Sequence, residues 1–494
     1  MDDLRSDRLA RALAPRSVAV LGASPRPGSL SLRFLNGLTR HGFDGRVVAV
    51  NPTYDEVGGF PCFPTVAAAG EIDLAVVAVA KARVLAALED CADADVAGAI
   101  VFSSGYSETG AEGRAEEAEI AALARRTGLR LIGPNSPGMI NVTRSACVIA
   151  SSVSYRDRFL PGGVGIVSQS GGVAGLLTER SQDAWVGLSS VICTGNEADV
   201  GMGEVLRMLA ADEATRVVAM FVEGIRDADG FVAGLAALRA AGKPAVVLKT
   251  GATEGAARAS AAHTGSLVTD AHVFQAVLDR YGALAVQSLD DLIQTAAALE
   301  RLGRVRAGGP VRPGRVGIIT TSGGAGVVAT EAAERAGLEL PPLPETTRAA
   351  LAAVIPDFAS PANPTDMSGM FTEREEIFRD ALRAFRDEVT FDVIVLVLTA
   401  QPPDFSLVLA ERMLEVAAEP GSPLVCLWVA GAMVAPAIDR LRQGGMVVLD
   451  DPDRLMRALR LRAEAGRPVP PAGTPSSFDV PSSLAAARSA GAAL

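Results

Sequence analysis

The chain has 494 residues, 49% of them hydrophobic and 21% charged, which suggests about three domains at roughly 100–200 residues each and excludes a disordered, fibrous or small disulfide-stapled protein. Its 46 lysines and arginines against 57 aspartates and glutamates leave a net charge of −11 with no basic stripe, and aromatics are only 4%, so neither duplex nor single-stranded nucleic acid is an expected partner. Five scattered cysteines, at 62, 91, 147, 193 and 426, lack CxxC or Cys/His ligand spacing; they read as reduced packing residues, and no metal site is expected. The opening MDDLRSDRLARALAPRS has no apolar signal core, and no later run nears the ~18 apolar residues of a membrane span, so the expectation is a soluble, cytoplasmic protein without a membrane partner.

Short apolar runs end in glycine or serine clusters and lead into alanine-rich stretches with helical spacing, the rhythm of parallel βα units. In chain order, a strand is predicted over 17–21, a turn over 22–30, a helix over 33–40 and strands over 47–50, 74–80, 98–102 and 129–132, giving a first domain of 1–142. From Pro161 the phrase GGVGIVSQSGGVAG begins a second series, and GRVGIITTSGGAGVV repeats it later. Val164, Gly165, Ile166, Ser170, Gly171 and Gly172 return as Val316, Gly317, Ile318, Ser322, Gly323 and Gly324 at a constant offset, as in a duplicated domain. Further strands are predicted over 217–222 and 245–248 in the first copy, and over 393–398, 424–429 and 446–449 in the second. A glycine-, proline- and arginine-rich linker at 303–313 separates 143–302 from 303–466, and 467–494 reads as a loose tail. The fold class is α/β, three doubly wound domains in series.

Chemistry can sit where strands hand over to helices, because N–H groups and the helix dipole there favour anions. GASPRPGS at 22–29 lies at such a point but lacks the G-x-G-x-x-G spacing, which argues against a nicotinamide-dependent dehydrogenase and leaves either a ligand loop or a bare turn. Both SGG phrases also follow a strand; neither has the G-x-S-x-G elbow of a serine hydrolase, and for the second copy a tight turn is the simpler reading. Of three histidines, His41 and His272 read as structural, whereas His263 in ASAAHTGS sits among small polar residues. It is either an inert loop residue or a nucleophile able to take a phosphoryl group. Glu223 in FVEGIRD projects from a strand end, where it could orient an imidazole, and Glu197 and Asp199 in TGNEADV occupy another strand end, where either could serve as a helix cap.

VAVLGAS, VAVNP, SSGYSETG, GPNSPG, GIVSQSGG, TGNEADV, FVEGIRD, AHTGS, the second SGG phrase and ANPTD, in that order over residues 10–465, resemble the alpha-type part of the NDP-forming acyl-CoA synthetases, which include ADP-forming acetate–CoA ligase and, more distantly, succinyl-CoA synthetase. The resemblance implies a Rossmann-like CoA-binding domain followed by two flavodoxin-like, succinyl-CoA ligase-like domains. It implies phosphorylation of His263 steadied by Glu223, a phosphate cradle at Ser170, Gly171 and Gly172, and a coenzyme A site lined by Gly22, Ala23, Ser24, Asn51, Pro52, Ser103, Ser104 and Asn135. The basic residue that often follows the NP pair is replaced by Thr53 and Tyr54, leaving Arg26 or Lys81 to meet the CoA phosphates. The implied reaction interconverts acyl-CoA, ADP and phosphate with a carboxylic acid, CoA and ATP through an acyl phosphate. No ATP-grasp module is recognised, so ADP or ATP with magnesium is expected on an ATP-grasp partner subunit in a hetero-oligomer. The alternative is a non-catalytic protein of the same fold that binds or senses CoA or acyl-CoA.

Overall fold

Strands made of Val, Ile, Leu and Ala on both faces are stable only where helices cover both sides of a sheet. The first sheet is of this kind. It contains β1 (Ser17–Leu21), β2 (Arg46–Val50), β3 (Glu56–Val57), β4 (Phe60–Phe63), β5 (Leu74–Val77), β6 (Gly98–Val101) and β7 (Arg130–Ile132), with every residue of β5 and β6 buried. In this computed structural model, which describes residues 2–251, 255, 271–303, 314–355, 359–367, 375–386, 388, 390–421 and 423–465, the order is β3-β4-β2-β1-β5-β6-β7. Only the β3–β4 edge hairpin is antiparallel; without β3 the order is the 3-2-1-4-5-6 of a doubly wound Rossmann sheet. The helix after β1 begins at Leu30 rather than at the predicted 33, because Leu30 and Leu32 pack on the core and draw the end of the turn into helix.

The second sheet comprises β8 (Gly138–Asn141), β9 (Ala146–Ile149), β10 (Pro161–Ser168), β11 (Leu188–Cys193), β12 (Val217–Val222), β13 (Ala245–Lys249) and β14 (Leu284–Val286), in the order β14-β13-β12-β10-β11-β8-β9. Its β10–β14 part is parallel; β8 and β9 add an antiparallel hairpin at one edge, so the chain enters this sheet at Gly138, before residue 142. The third sheet is wholly parallel: β15 (Val316–Thr320), β16 (Thr365–Asp366), β17 (Val393–Leu398), β18 (Leu424–Trp428) and β19 (Val448–Leu449), in the order β16-β15-β17-β18-β19. Counted from β10 and from β15, both parallel parts run 2-1-3-4-5, the flavodoxin-like order.

The repeat extends to single hydrogen bonds. Ser168 Oγ accepts from the Ser170 N–H at 3.2 Å and donates to the Ser170 carbonyl at 2.7 Å; Thr320 Oγ1 does the same for Ser322, at 3.0 Å each way. Each brace turns the chain out of its strand into the helix that follows, Gly171–Asp183 or Gly323–Arg335.

Contacts divide the chain into two compact units, one of Met1–Glu179 with Leu188–Gln287, holding the first two sheets, and one of Arg180–Gly187 with Ser288–Arg467, holding the third. In the first unit a single apolar cluster runs from Val18, Val20 and Ile100 of the first sheet to Val167, Ile192 and Val218 of the second. In the other unit, helix Leu289–Leu302 buries Ala298 and Leu302 against Val316 and Ile318, so it packs with the third sheet although it lies within 143–302. No helix among the described residues is long and apolar enough to cross a membrane.

Candidate functional site

In a 2-1-3-4-5 sheet the crevice opens at the carboxyl ends of the first and third strands, where successive connections leave in opposite directions. Here those strands are β10 and β12, and a cavity of about 460 Å³ lies at their ends. It is lined by Gln169, Ser170, Gly171 and Gly172 after β10, Gly195 and Asn196 after β11, and Glu223, Gly224 and Arg226 after β12. The first domain contributes Phe102, Ser104, Glu108 and Asn135. Three of the residues expected to cradle phosphate, one expected catalytic carboxylate and two expected CoA-site residues thus share one cavity.

Helix Gly171–Asp183 opens on this cavity, and its first N–H groups have no partner within the helix. A Cβ on Gly172 would meet nothing within 4 Å, so the first turn faces open space, a geometry that fits a phosphate. Glu223 is held by its backbone: its N–H and that of Gly224 both donate to Gln169 Oε1, at 2.6 and 3.0 Å. Lys249 Nζ donates to the Glu223 carbonyl at 2.9 Å; burial lowers this ammonium's affinity for its proton, and the Glu223 carboxylate opposes that. His263 lies outside the described residues.

The remaining expected CoA residues lie after β1, β2 and β6, outside the cavity lining. Gly22 has φ +75°, and a Cβ there would stand 2.7 Å from the Ala78 carbonyl, so only glycine fits this turn. Asn51 Nδ2 donates to the Ala23 carbonyl at 2.7 Å while its Oδ1 accepts from the Thr53 N–H at 2.9 Å, fastening the Asn51–Pro52 turn to the Ala23–Ser24 loop. Ser103 Oγ is spent on the Val79 carbonyl at 2.6 Å. Of the two cations considered for the CoA phosphates, Arg26 is exposed on its loop. Lys81 is engaged: it bonds the Gly105 carbonyl, pairs with Glu116 and lies 5.2 Å from the centre of the Tyr106 ring.

Several residues of the site were quoted in the sequence only as parts of motifs. Arg226 donates to Glu117 Oε1 at 2.7 Å and Ser107 Oγ at 2.9 Å, and Asn196 Nδ2 donates to Glu108 at 2.7 Å and Glu117 at 2.9 Å. This network ties the SETG turn of the first domain to two strand ends of the second. Burial pushes the Glu108 carboxyl up, but the Asn196 amide and the Gly105 N–H outweigh it and hold the group below its ordinary value. Glu197 goes the other way: burial pushes it up despite hydrogen bonds from Thr194 and Gln169. The signal for these residues was a polar cluster after each strand; the partners of Arg226 and Asn196 lie in the first domain, where local spacing says nothing.

Residues 16–142 match the CoA binding domain, 161–299 the succinyl-CoA ligase like flavodoxin domain and 316–448 the Ligase-CoA domain. Acetate–CoA ligase [ADP-forming] I subunit alpha of Pyrococcus furiosus is 32% identical over 90% of this chain and 95% of its own length. The chain belongs to the NDP-forming acyl-CoA synthetases. As an alpha-type member of this family it is also 33% identical, over 91% of its length, to acetate–CoA ligase [ADP-forming] I of Archaeoglobus fulgidus, of which it spans only 62%. Among solved structures, the dinucleotide forming acetyl-coenzyme A synthetase 1 of Ca. Korarchaeum cryptofilum, in complex with phosphate and ADP, superimposes with a TM-score of 0.84 at 29% identity, covering 93% of this chain and 97% of that one.

Proposed function

We propose that this chain is the CoA-binding, phosphohistidine-carrying part of an ADP-forming acid–CoA ligase. The observation that carries the reading is the shared cavity: Ser104 and Asn135 of the CoA-binding domain face Ser170–Gly172 and Glu223 of the flavodoxin-like domain. Phosphate held on the N-terminus of helix Gly171–Asp183 attacks the thioester carbonyl, expelling CoA thiolate and leaving an acyl phosphate. The His263 imidazole then takes the phosphoryl group, releasing the carboxylate, and passes it to ADP. Glu223 accepts the other ring N–H and favours the cation that forms as the ring attacks. Each step has a good leaving group, which is the advantage over direct condensation. Nucleotide and magnesium are bound by an ATP-grasp module, which the alpha-subunit relative leads us to place on a second subunit.

The test mixes the chain with an ATP-grasp partner, ADP, labelled phosphate and a panel of acyl-CoAs. Label is expected in protein and then in ATP, and none in protein carrying His263→Ala. Equal labelling of that variant would remove the histidine from the mechanism; a wild-type chain that binds CoA but takes no label would be a binding or sensing protein instead.

A further inference from the structure

Gln169, in the cavity lining, bonds to two other strand-end loops of the second sheet. Its Oε1 accepts from the N–H groups of Glu223 and Gly224, at 2.6 and 3.0 Å. Its Nε2 donates to the Gly224 carbonyl at 2.7 Å and to Glu197 Oε1 at 3.0 Å, and the same oxygen accepts from Thr194 Oγ1 at 2.8 Å. Glu197 stands in the left-handed region, φ +57°, which a non-glycine residue holds only when its surroundings over-determine it. The residue after Gln169 begins the phosphate cradle. One amide therefore sets the place of the cradle, of Glu223 and of the half-buried Glu197 at once.

We infer that Gln169 is a positioning residue for phosphoryl transfer: it fixes the backbone of Glu223 against the Ser170–Gly172 turn and satisfies the Glu197 carboxyl, so that orienter and anion cradle keep one spacing. An apolar replacement leaves two N–H groups without their acceptor and a carboxylate without its amide. An acidic replacement keeps the acceptor but sets oxygen against oxygen at Glu197 and at the Gly224 carbonyl. Exchanging the pair, Gln169→Glu with Glu197→Gln, turns the Nε2–Oε1 contact around and restores it, while the Gly224 carbonyl stays without its donor.

The inference rests on the proposed reaction, and its test separates the two. Phosphoenzyme formation by the chain with an ATP-grasp partner is followed for wild type, Gln169→Leu, Gln169→Glu and the exchanged pair. Gln169→Leu and Gln169→Glu are expected to lower kcat about 10- to 100-fold with KM for acyl-CoA within about twofold, and the exchange to recover part of the rate lost in Gln169→Glu with its pH profile displaced, because the carboxyl has moved next to Glu223. Wild-type kcat in Gln169→Leu, or an exchanged pair no better than the single variants, overturns the positioning role. If wild type itself takes no label, the proposed reaction falls, and calorimetric titration of the chain with inorganic phosphate decides the positioning claim alone. Affinity lost in Gln169→Leu and regained in the exchange supports it, and unchanged affinity overturns it.

Discussion

Arg130 is fully buried yet charged, which its surroundings explain. Its guanidinium donates to Asp199 at 3.0 Å and to both oxygens of Glu204 at 2.8 Å, while the Leu131 N–H also donates to Asp199. Removing one partner of such a group strands charges out of water, so Arg130→Met is expected to cost about 3–5 kcal/mol, read from the urea-induced transition of the unit that holds the first two sheets. A loss under about 1 kcal/mol would mean that water reaches the carboxylates. Asp73 offers a pH-dependent counterpart. Burial would push its carboxyl up, but the Arg16 N–H at 2.8 Å and the Arg11 guanidinium at 2.8 and 3.0 Å outweigh it and hold the group below its ordinary value of 3.8. A depressed carboxyl adds stability above its unfolded pKa and loses it as pH falls through the lower folded value. The melting temperature of wild type should therefore exceed that of Asp73→Asn near neutrality, with the gap closing below about pH 4; a gap that persists at about pH 2 contradicts the assignment.

Turns matter as much as helices and strands at the next scale up. Gly195, with φ +60°, brings the turn after β11 against the first domain, and a Cβ there would lie 2.4 Å from the Pro134 carbonyl. Gly195→Ala is expected to cost about 1–3 kcal/mol of stability and, by displacing Asn196 and Glu197, to weaken phosphate binding measured by calorimetry; a variant that melts lower but binds phosphate unchanged would detach this turn from the cradle. The buried parallel strands were legible because their runs are apolar on both faces, as in β5, β6 and β17. Of the edge strands, β7 and β19 fall within the predicted 129–132 and 446–449, but β3 and β16 are two residues long and the β8–β9 hairpin has Asn141 and Arg144 at its turn, so no periodicity marks these. Ser170–Gly172, Glu223, Ser104 and Asn135, which line one cavity, could be picked out from the motifs. Gln169, Asn196 and Arg226 gained their roles only through partners 28 to 119 residues away.

At the scale of the whole chain, two compact units with separate cores predict unfolding that is not two-state. Scanning calorimetry should resolve two transitions. CoA, which on the proposed reading binds only the unit of the first two sheets, should raise one of them and leave the other in place. A single transition shifted as a whole would show that the units melt together.

The apolar cluster common to the first two sheets has a consequence for how matter travels through this molecule. Prising those domains apart would divide this one cluster and expose apolar surface to water, at about 25 cal/mol for each Å² uncovered. On the proposed reading, the thioester end of the carrier and the anion seat are thus mounted on one chassis and cannot part like jaws. Cargo that leaves such a seat for a nucleotide on another subunit would need a vehicle smaller than a domain.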